Sequence, residues 1–198
     1  MSDTDLRGAA FADFVVRTMW DKRKVKITMI NDRWGQLNVG ESREGYEIKF
    51  DSKAMLRPAQ ARYWIECMEK RKPGNPTWIL SGIWRADNTK FFIIGDYNLF
   101  WVFVIEVLRS VSPWKPGQPW PPEGNHVETL TSRAFLLSTE EAGRIKVDRI
   151  ETDQGGQLSL LNTEELREIA SKSSPSWTDE EMAKMSKAHG IRHGMTEY

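Results

Sequence analysis

Two stretches of alternating apolar and polar residues constrain this chain most. In residues 46–51 the even positions are Tyr46, Ile48 and Phe50, and the odd positions are Glu47, Lys49 and Asp51. Successive side chains of a strand point to opposite faces, so the segment presents one apolar face only if it is a strand. Residues 63–70 repeat the pattern, with Tyr63, Ile65 and Cys67 on one side and Trp64, Glu66, Met68 and Lys70 on the other. If both apolar faces enter one core, Glu47, Lys49, Asp51 and Glu66 share the opposite face. The connection 52–61 is long enough for an antiparallel pair, and with Asp51 opposite Arg62 the register sets Glu47 opposite Glu66. Directly opposed Cβ atoms stand about 4.5–5.5 Å apart.

The rest of the chain predicts an α+β fold, a central antiparallel or mixed sheet flanked by helices. Residues 5–22 place Leu6, Ala9, Ala10, Phe14, Val15, Thr18 and Met19 near helical spacing, capped at Asp3 or Thr4 and ending in the basic run DKRKVK. The segment 25–30 reads as a short strand, 31–35 as a turn and 81–88 as a short helix. KFFII and LFWVFVI, separated by GDYN, read as a hairpin; a helix over 98–110 competes, because periodicity cannot decide a continuous apolar run. Residues 132–138 predict a strand, followed by a helical turn and another short strand. PWKPGQPWPPEG at 113–124 holds five of the nine prolines and reads as a surface loop. One domain over 1–152 is expected, with a polar helical extension over 153–198.

Charge narrows the function classes. The chain has 28 Lys and Arg against 28 Asp and Glu, which excludes binding of an anionic partner by bulk charge. The distribution is uneven: residues 1–72 carry 15 basic against 11 acidic side chains, and residues 126–198 carry 9 against 13. An anionic partner is therefore expected at the N-terminal third, where Lys22, Arg23, Lys24, Arg62 and Arg71, with Lys26, Arg57 and Lys72, are candidates for contact with nucleic-acid phosphates; a solvated basic face is the alternative. Cys67 is the sole cysteine, so no internal disulfide or cysteine cluster forms. The N-terminus lacks an apolar export signal and no run approaches the roughly 18 apolar residues of a membrane span, so a cytoplasmic protein is expected.

The carboxylate face suggests a chemistry. Three carboxylates and a lysine on adjacent strands repel unless something compensates, and Mg²⁺ takes one or two carboxylates together with phosphate oxygens and water. The ion would polarise a phosphoryl oxygen, and the ammonium would steady the charge developing there. A solvated sheet face shows the same alternation, so both readings stand. Trp114 and Trp120 in the proline-rich loop could stack on bases, engage a protein partner, or pin the loop to the domain. His189 and His193 lack an acid to complete a zinc site, and His126 has no evident partner.

GESREGYEIKFD at 40–51, YWIECMEK at 63–70 and SGIWRADN at 81–88 together resemble the core of the PD-(D/E)XK nuclease superfamily, in particular small phage and bacterial members of uncharacterised type. The resemblance covers roughly residues 40–95. It implies a restriction-endonuclease-like core, bound Mg²⁺ or Mn²⁺, and cleavage of DNA. Two registers fit. The literal acid-x-Lys is Glu47-Ile48-Lys49, with the first acid upstream at Glu41 or Asp32. In the other, preferred because both acids share the expected face, Glu47 or Asp51 is the first acid and Glu66 the second; Met68 stands where the lysine belongs, and Lys49 or Lys70 supplies the ammonium. The site expected from that register has Glu47, Asp51 and Glu66 as metal ligands and Lys49 on the attacking water. A non-catalytic binding or assembly protein with the same fold is the alternative function.

Overall fold

Leu6, Ala10, Phe11, Phe14, Val15 and Met19 are all buried, at the three- and four-residue spacing that aligns side chains on one face of a helix. The computed structural model describes residues 3–51, 62–122 and 124–152. In chain order these form α1 (Asp3–Arg23), α2 (Arg33–Asn38), β1 (Tyr46–Phe50), β2 (Arg62–Glu69), β3 (Ile79–Leu80), a 3-10 turn (Gly82–Trp84), β4 (Phe91–Gly95), β5 (Leu99–Val104), α3 (Ile105–Val111), β6 (His126–Glu128), β7 (Ser132–Ser138), α4 (Thr139–Ile145) and β8 (Asp148–Glu151). The fold is α+β, with two four-stranded sheets. One is mixed, in the order β1-β4-β5-β8, and the other is ordered β3-β2-β7-β6.

The mixed sheet is covered on both faces. Its α1 side packs Ile48, Ile93, Phe100, Val102 and Ile150 against the helix, while Phe92, Ile94, Trp101 and Phe103 meet Tyr63, Ile65, Cys67, Phe135 and Leu137 of the second sheet. Burial on both sides explains why β4 and β5 read as continuous apolar runs. Phe11 anchors the helix, its ring 5.2 Å from that of Phe50 and 5.5 Å from that of Tyr97. Phe11→Ala should therefore cost about 3–5 kcal/mol in urea denaturation; a loss below about 1 kcal/mol would contradict this packing.

The expected hairpin is present: β4 and β5 are antiparallel, joined at a turn where Asp96 Oδ1 accepts from the N–H groups of Asn98 and Leu99. The competing helix also has a counterpart, because the apolar run turns from strand to α3 at Ile105. The strand at 132–138, the helix after it and the short strand β8 lie where the pattern places them. At 81–88 the helix is only the single 3-10 turn. Residues 25–30 form no strand beyond one bridge, Met29 with Ser42, and the expected turn at 31–35 leads instead into α2, capped by Asp32. Among the described residues, no helix is long and apolar enough to cross a membrane.

The pairing of β1 with β2 is a correction. β1 runs parallel to β4, with Glu47 beside Phe92 and Lys49 beside Ile94, whereas β2 pairs with β7 and β3 in the other sheet. Alternation shows which faces a strand presents, not which strand lies beside it. Phe92 and Ile94 face the second sheet, so Glu47 and Lys49 leave β1 on that side, Glu47 buried and Lys49 partly exposed. Ile65 and Cys67 point inward, so Glu66 leaves β2 on the outer face and does not oppose Glu47. The connection 52–61 with Arg57, and the extension 153–198 with His189 and His193, lie outside the described residues.

Candidate functional site

The loop 40–45 is fastened to the loop 85–90, and that junction builds the site. Gly40 has φ 124° and a Cβ there would stand 2.2 Å from Asn88 Oδ1; Gly45 has φ 85° and its Cβ would stand 2.6 Å from the Asn88 carbonyl oxygen. Glycine is needed at both positions, for the dihedral and for the close approach. Asn88 Nδ2 donates to the carbonyls of Ser42 and Arg43, and the N–H groups of Lys90 and Phe91 donate to the Gly45 carbonyl. Ser42 Oγ accepts from the Tyr46 N–H at 2.6 Å, which sets the start of β1.

This clamp folds Glu41 back along β1, an edge strand. Its Oε2 accepts the Ile48 N–H at 3.1 Å, filling part of the free edge, and its Oε1 lies 2.5 Å from Lys49 Nζ. The same ammonium stands 3.0 Å from Glu47 Oε1. Glu47 is the innermost member: its side chain is 1% exposed, against 17% for Glu41 and 38% for Lys49, so the cluster opens to solvent through the lysine. Neither oxygen of Glu47 accepts a well-aligned hydrogen bond. Burial pushes the Glu47 carboxyl above the ordinary carboxylate range, the Lys49 charge opposes this, and the Glu41 charge adds to it. Burial pulls the Lys49 ammonium down, but the charges of Glu41 and Glu47 outweigh it and hold its pKa above the usual lysine value.

Two further charges enter from the loop after the 3-10 turn. Arg85 Nε pairs with Asp87 Oδ2, and Asp87 Oδ1 accepts the Thr89 N–H at 2.9 Å. Arg85 and Glu47 are close enough that each acts electrostatically on the other's ionisation. Counted together, Glu41, Glu47 and Asp87 against Lys49 and Arg85 leave one excess negative charge, much of it out of water.

Of the expected residues, the structure brings Glu47 and Lys49 together and joins Glu41 to them, as in the literal acid-x-Lys register. Asp32 instead caps α2 through the Gly35 N–H. Asp51 lies past the end of β1 beside the β4–β5 turn, where its charge adds to the burial that raises the Asp96 carboxyl above its ordinary range, against the opposing N–H groups of Asn98 and Leu99. Glu66 is occupied elsewhere, accepting from Ser81 Oγ and Ser132 Oγ, each at 2.7 Å. Its carboxylate therefore ties β2 to the 3-10 turn and to β7. Glu66→Ala should cost about 1–3 kcal/mol by leaving both hydroxyls without their acceptor, and should leave any stabilisation by Mg²⁺ as in the wild type. A loss of the Mg²⁺ response would return Glu66 to the list of ligands.

The proposed phosphate contacts do not form one patch. Lys22 Nζ donates to the Glu151 carbonyl and Arg23 chelates Asp148, so both fasten the end of α1 to β8. Lys24 has φ 57° and its N–H closes on the Trp20 carbonyl, a left-handed helix cap. Arg62 starts β2 and Arg71 follows its far end, roughly 25 Å or more away at about 3.4 Å per residue. In the proline-rich loop, Trp114 is buried with Nε1 donating to the Gln118 carbonyl, and Trp120 is half-buried against Trp114 and edge-on to His126. These rings pin the loop to the domain.

Arg85 and Asp87 were not expected from sequence. They stand in an aperiodic loop, and only the proximity of SGIWRADN to the other two motifs hinted at them. Among the described residues, no group of three or more His, Cys, Asp or Glu side chains is placed to hold a metal ion. Two carboxylates, one fully buried with the Lys49 ammonium beside only one of its oxygens, fit the mode in which Mg²⁺ takes one or two protein ligands and completes its shell from water and phosphate; they do not fit an all-protein cage. Comparison of the chain with protein-family models, with curated proteins and with solved structures finds no match.

Proposed function

We propose that the protein is a Mg²⁺- or Mn²⁺-dependent phosphodiester hydrolase, an endonuclease acting on DNA, related to the PD-(D/E)XK nucleases of bacteria and phages and working in the cytoplasm. The observation that supports this best is the meeting of Glu41, Glu47 and Lys49 around one ammonium, on an edge strand, with the Glu47 carboxylate buried and short of partners. In this reading Glu41 takes the part of the first acid, and Glu47-Ile48-Lys49 is the acid-x-Lys triplet. Glu41 and Glu47 would hold the ion, which when bound supplies Lewis acidity and a more acidic water.

Lys49 has the remaining task. Its side chain is the most exposed of the cluster, and its Nζ would turn from the carboxylates, once these are otherwise neutralised, toward the attacking water and the charge that develops on phosphorus. The buried setting strengthens each of these interactions by excluding water. The free thiol of Cys67 is buried, and burial pushes it up to about 12, so it takes no part as a nucleophile.

The test is cleavage of duplex and single-stranded DNA and of RNA with Mg²⁺ or Mn²⁺, set against EDTA. Metal-dependent cleavage of DNA, lost in Lys49 and Glu47 variants, is expected; wild type that cuts none of these substrates would sink the reading. A binding or assembly protein without chemistry is the second reading, favoured by one fact: Lys49 is already paired with both carboxylates. In that case Mg²⁺ should leave the melting temperature unchanged, because only a ligand that binds the folded form raises it.

A further inference from the structure

We infer that Arg85 anchors the phosphate of the substrate, resting on the hydrolase reading above. The cluster has two cations, and Lys49 is engaged by Glu41 and Glu47. Arg85 is engaged on one side only. Its Nε is held by Asp87, which is itself fixed by the Thr89 N–H, so the guanidinium is oriented from behind; its Nη2 is buried and has no partner.

A purely structural arginine in this protein looks different. Arg109, one helix away, places Nε on the Ile83 carbonyl at 2.6 Å and Nη1 on Glu106 at 2.6 Å. Buried charged donors are rarely left open in folded proteins, because water is lost and nothing replaces it. The open donor of Arg85 stands within electrostatic reach of Glu47, whose Oε1 meets the Lys49 ammonium and whose Oε2 has no partner. An anionic oxygen bridging a metal on Glu47 and the guanidinium would satisfy both.

Charge favours the same ligand. The cluster carries one excess negative charge without a metal and one excess positive charge with a divalent ion. A phosphodiester brings one negative charge and closes the balance. The planar fork of arginine matches two phosphate oxygens in a way that an ammonium does not.

The probe is inorganic phosphate, titrated against the melting temperature of the full chain in Mg²⁺, with chloride at matched ionic strength as control and DNA cleavage measured in parallel. Wild type should be stabilised by phosphate, and Arg85→Lys should need at least about tenfold more phosphate for the same shift. Arg85→Lys keeps a cation beside Asp87, so it remains folded where Arg85→Ala, which leaves Asp87 buried and unpaired, could unfold. Cleavage by Arg85→Lys should show the loss mainly in KM. If wild type cleaves DNA and Arg85→Lys responds to phosphate as wild type does, the assignment of Arg85 is overturned and the hydrolase reading stands. Wild type that cleaves without responding to phosphate overturns it equally. Wild type that neither cleaves nor responds overturns both.

Discussion

Lys49→Met is expected to lower stability at neutral pH by about 2–3 kcal/mol and to abolish metal-dependent cleavage. Removing one partner from a buried ion pair costs about 3–5 kcal/mol, reduced here because the Lys49 side chain is 38% exposed and water screens part of the charge. Without the ammonium, the Glu41 and Glu47 carboxylates repel across the same small space. The native pKa of Glu47, already raised by burial and now without the opposing ammonium, should then rise further above the ordinary carboxylate value of about 4.3. Between the unfolded and the native pKa the folded form binds more protons, so stability should recover as pH falls and decline as pH rises. Mg²⁺ should restore part of it at neutral pH by taking the place of the ammonium. Urea midpoints at acid and neutral pH, with and without Mg²⁺, measure all of this. A variant as stable as the wild type and indifferent to Mg²⁺ would show that the cluster is not an electrostatic unit.

Glu47→Gln should have the opposite effect on stability and the same effect on activity. The amide keeps the shape of the side chain and removes a charge that is fully buried, while Lys49 retains Glu41. A gain of about 1–2 kcal/mol is expected, since an imperfectly compensated buried charge costs more than a neutral polar group; in a chain of this length this is a rise in Tm of about 2–8 °C. The pH dependence separates charge from packing. Burial raises the native pKa of Glu47, so its contribution makes wild-type stability fall as pH climbs from about 4.3 through the raised value. Glu47→Gln should remove that slope, and calorimetry at acid and neutral pH reads it. Cleavage should be lost because a neutral amide holds Mg²⁺ poorly. A Glu47→Gln protein less stable than wild type at neutral pH would mean that the carboxylate is a structural keystone.

How much of this was legible in the residues differs from element to element. The amphipathic spacing of α1, the β4–β5 hairpin and the strand at 132–138 follow from local periodicity and turn chemistry, which act over a few residues. The partner of β1 was not legible. Its alternation suits a strand with one solvated face, but β1 is roofed by α1 on one side, and on the other Glu47 is enclosed beside Glu41 and the loop that carries Arg85; no local signal records neighbours contributed by residues far along the chain. The same misreading placed Glu66 opposite Glu47. It also hid Arg85 and Asp87, which reach the site from a loop whose sequence carries no period.

The sequence alone determined that Glu47 and Lys49 share one face, because side chains two apart in a strand must. It also determined that no bulk positive charge draws the chain to a polyanion. Only the tertiary structure decided that this face looks inward, that Glu41 rather than Glu66 is the second acid on the ammonium, and that Arg85 and Asp87 complete the cluster. The reason is one of range: side-chain direction along a strand is set by covalent geometry, whereas burial and charge pairing depend on which distant segments the core brings beside it.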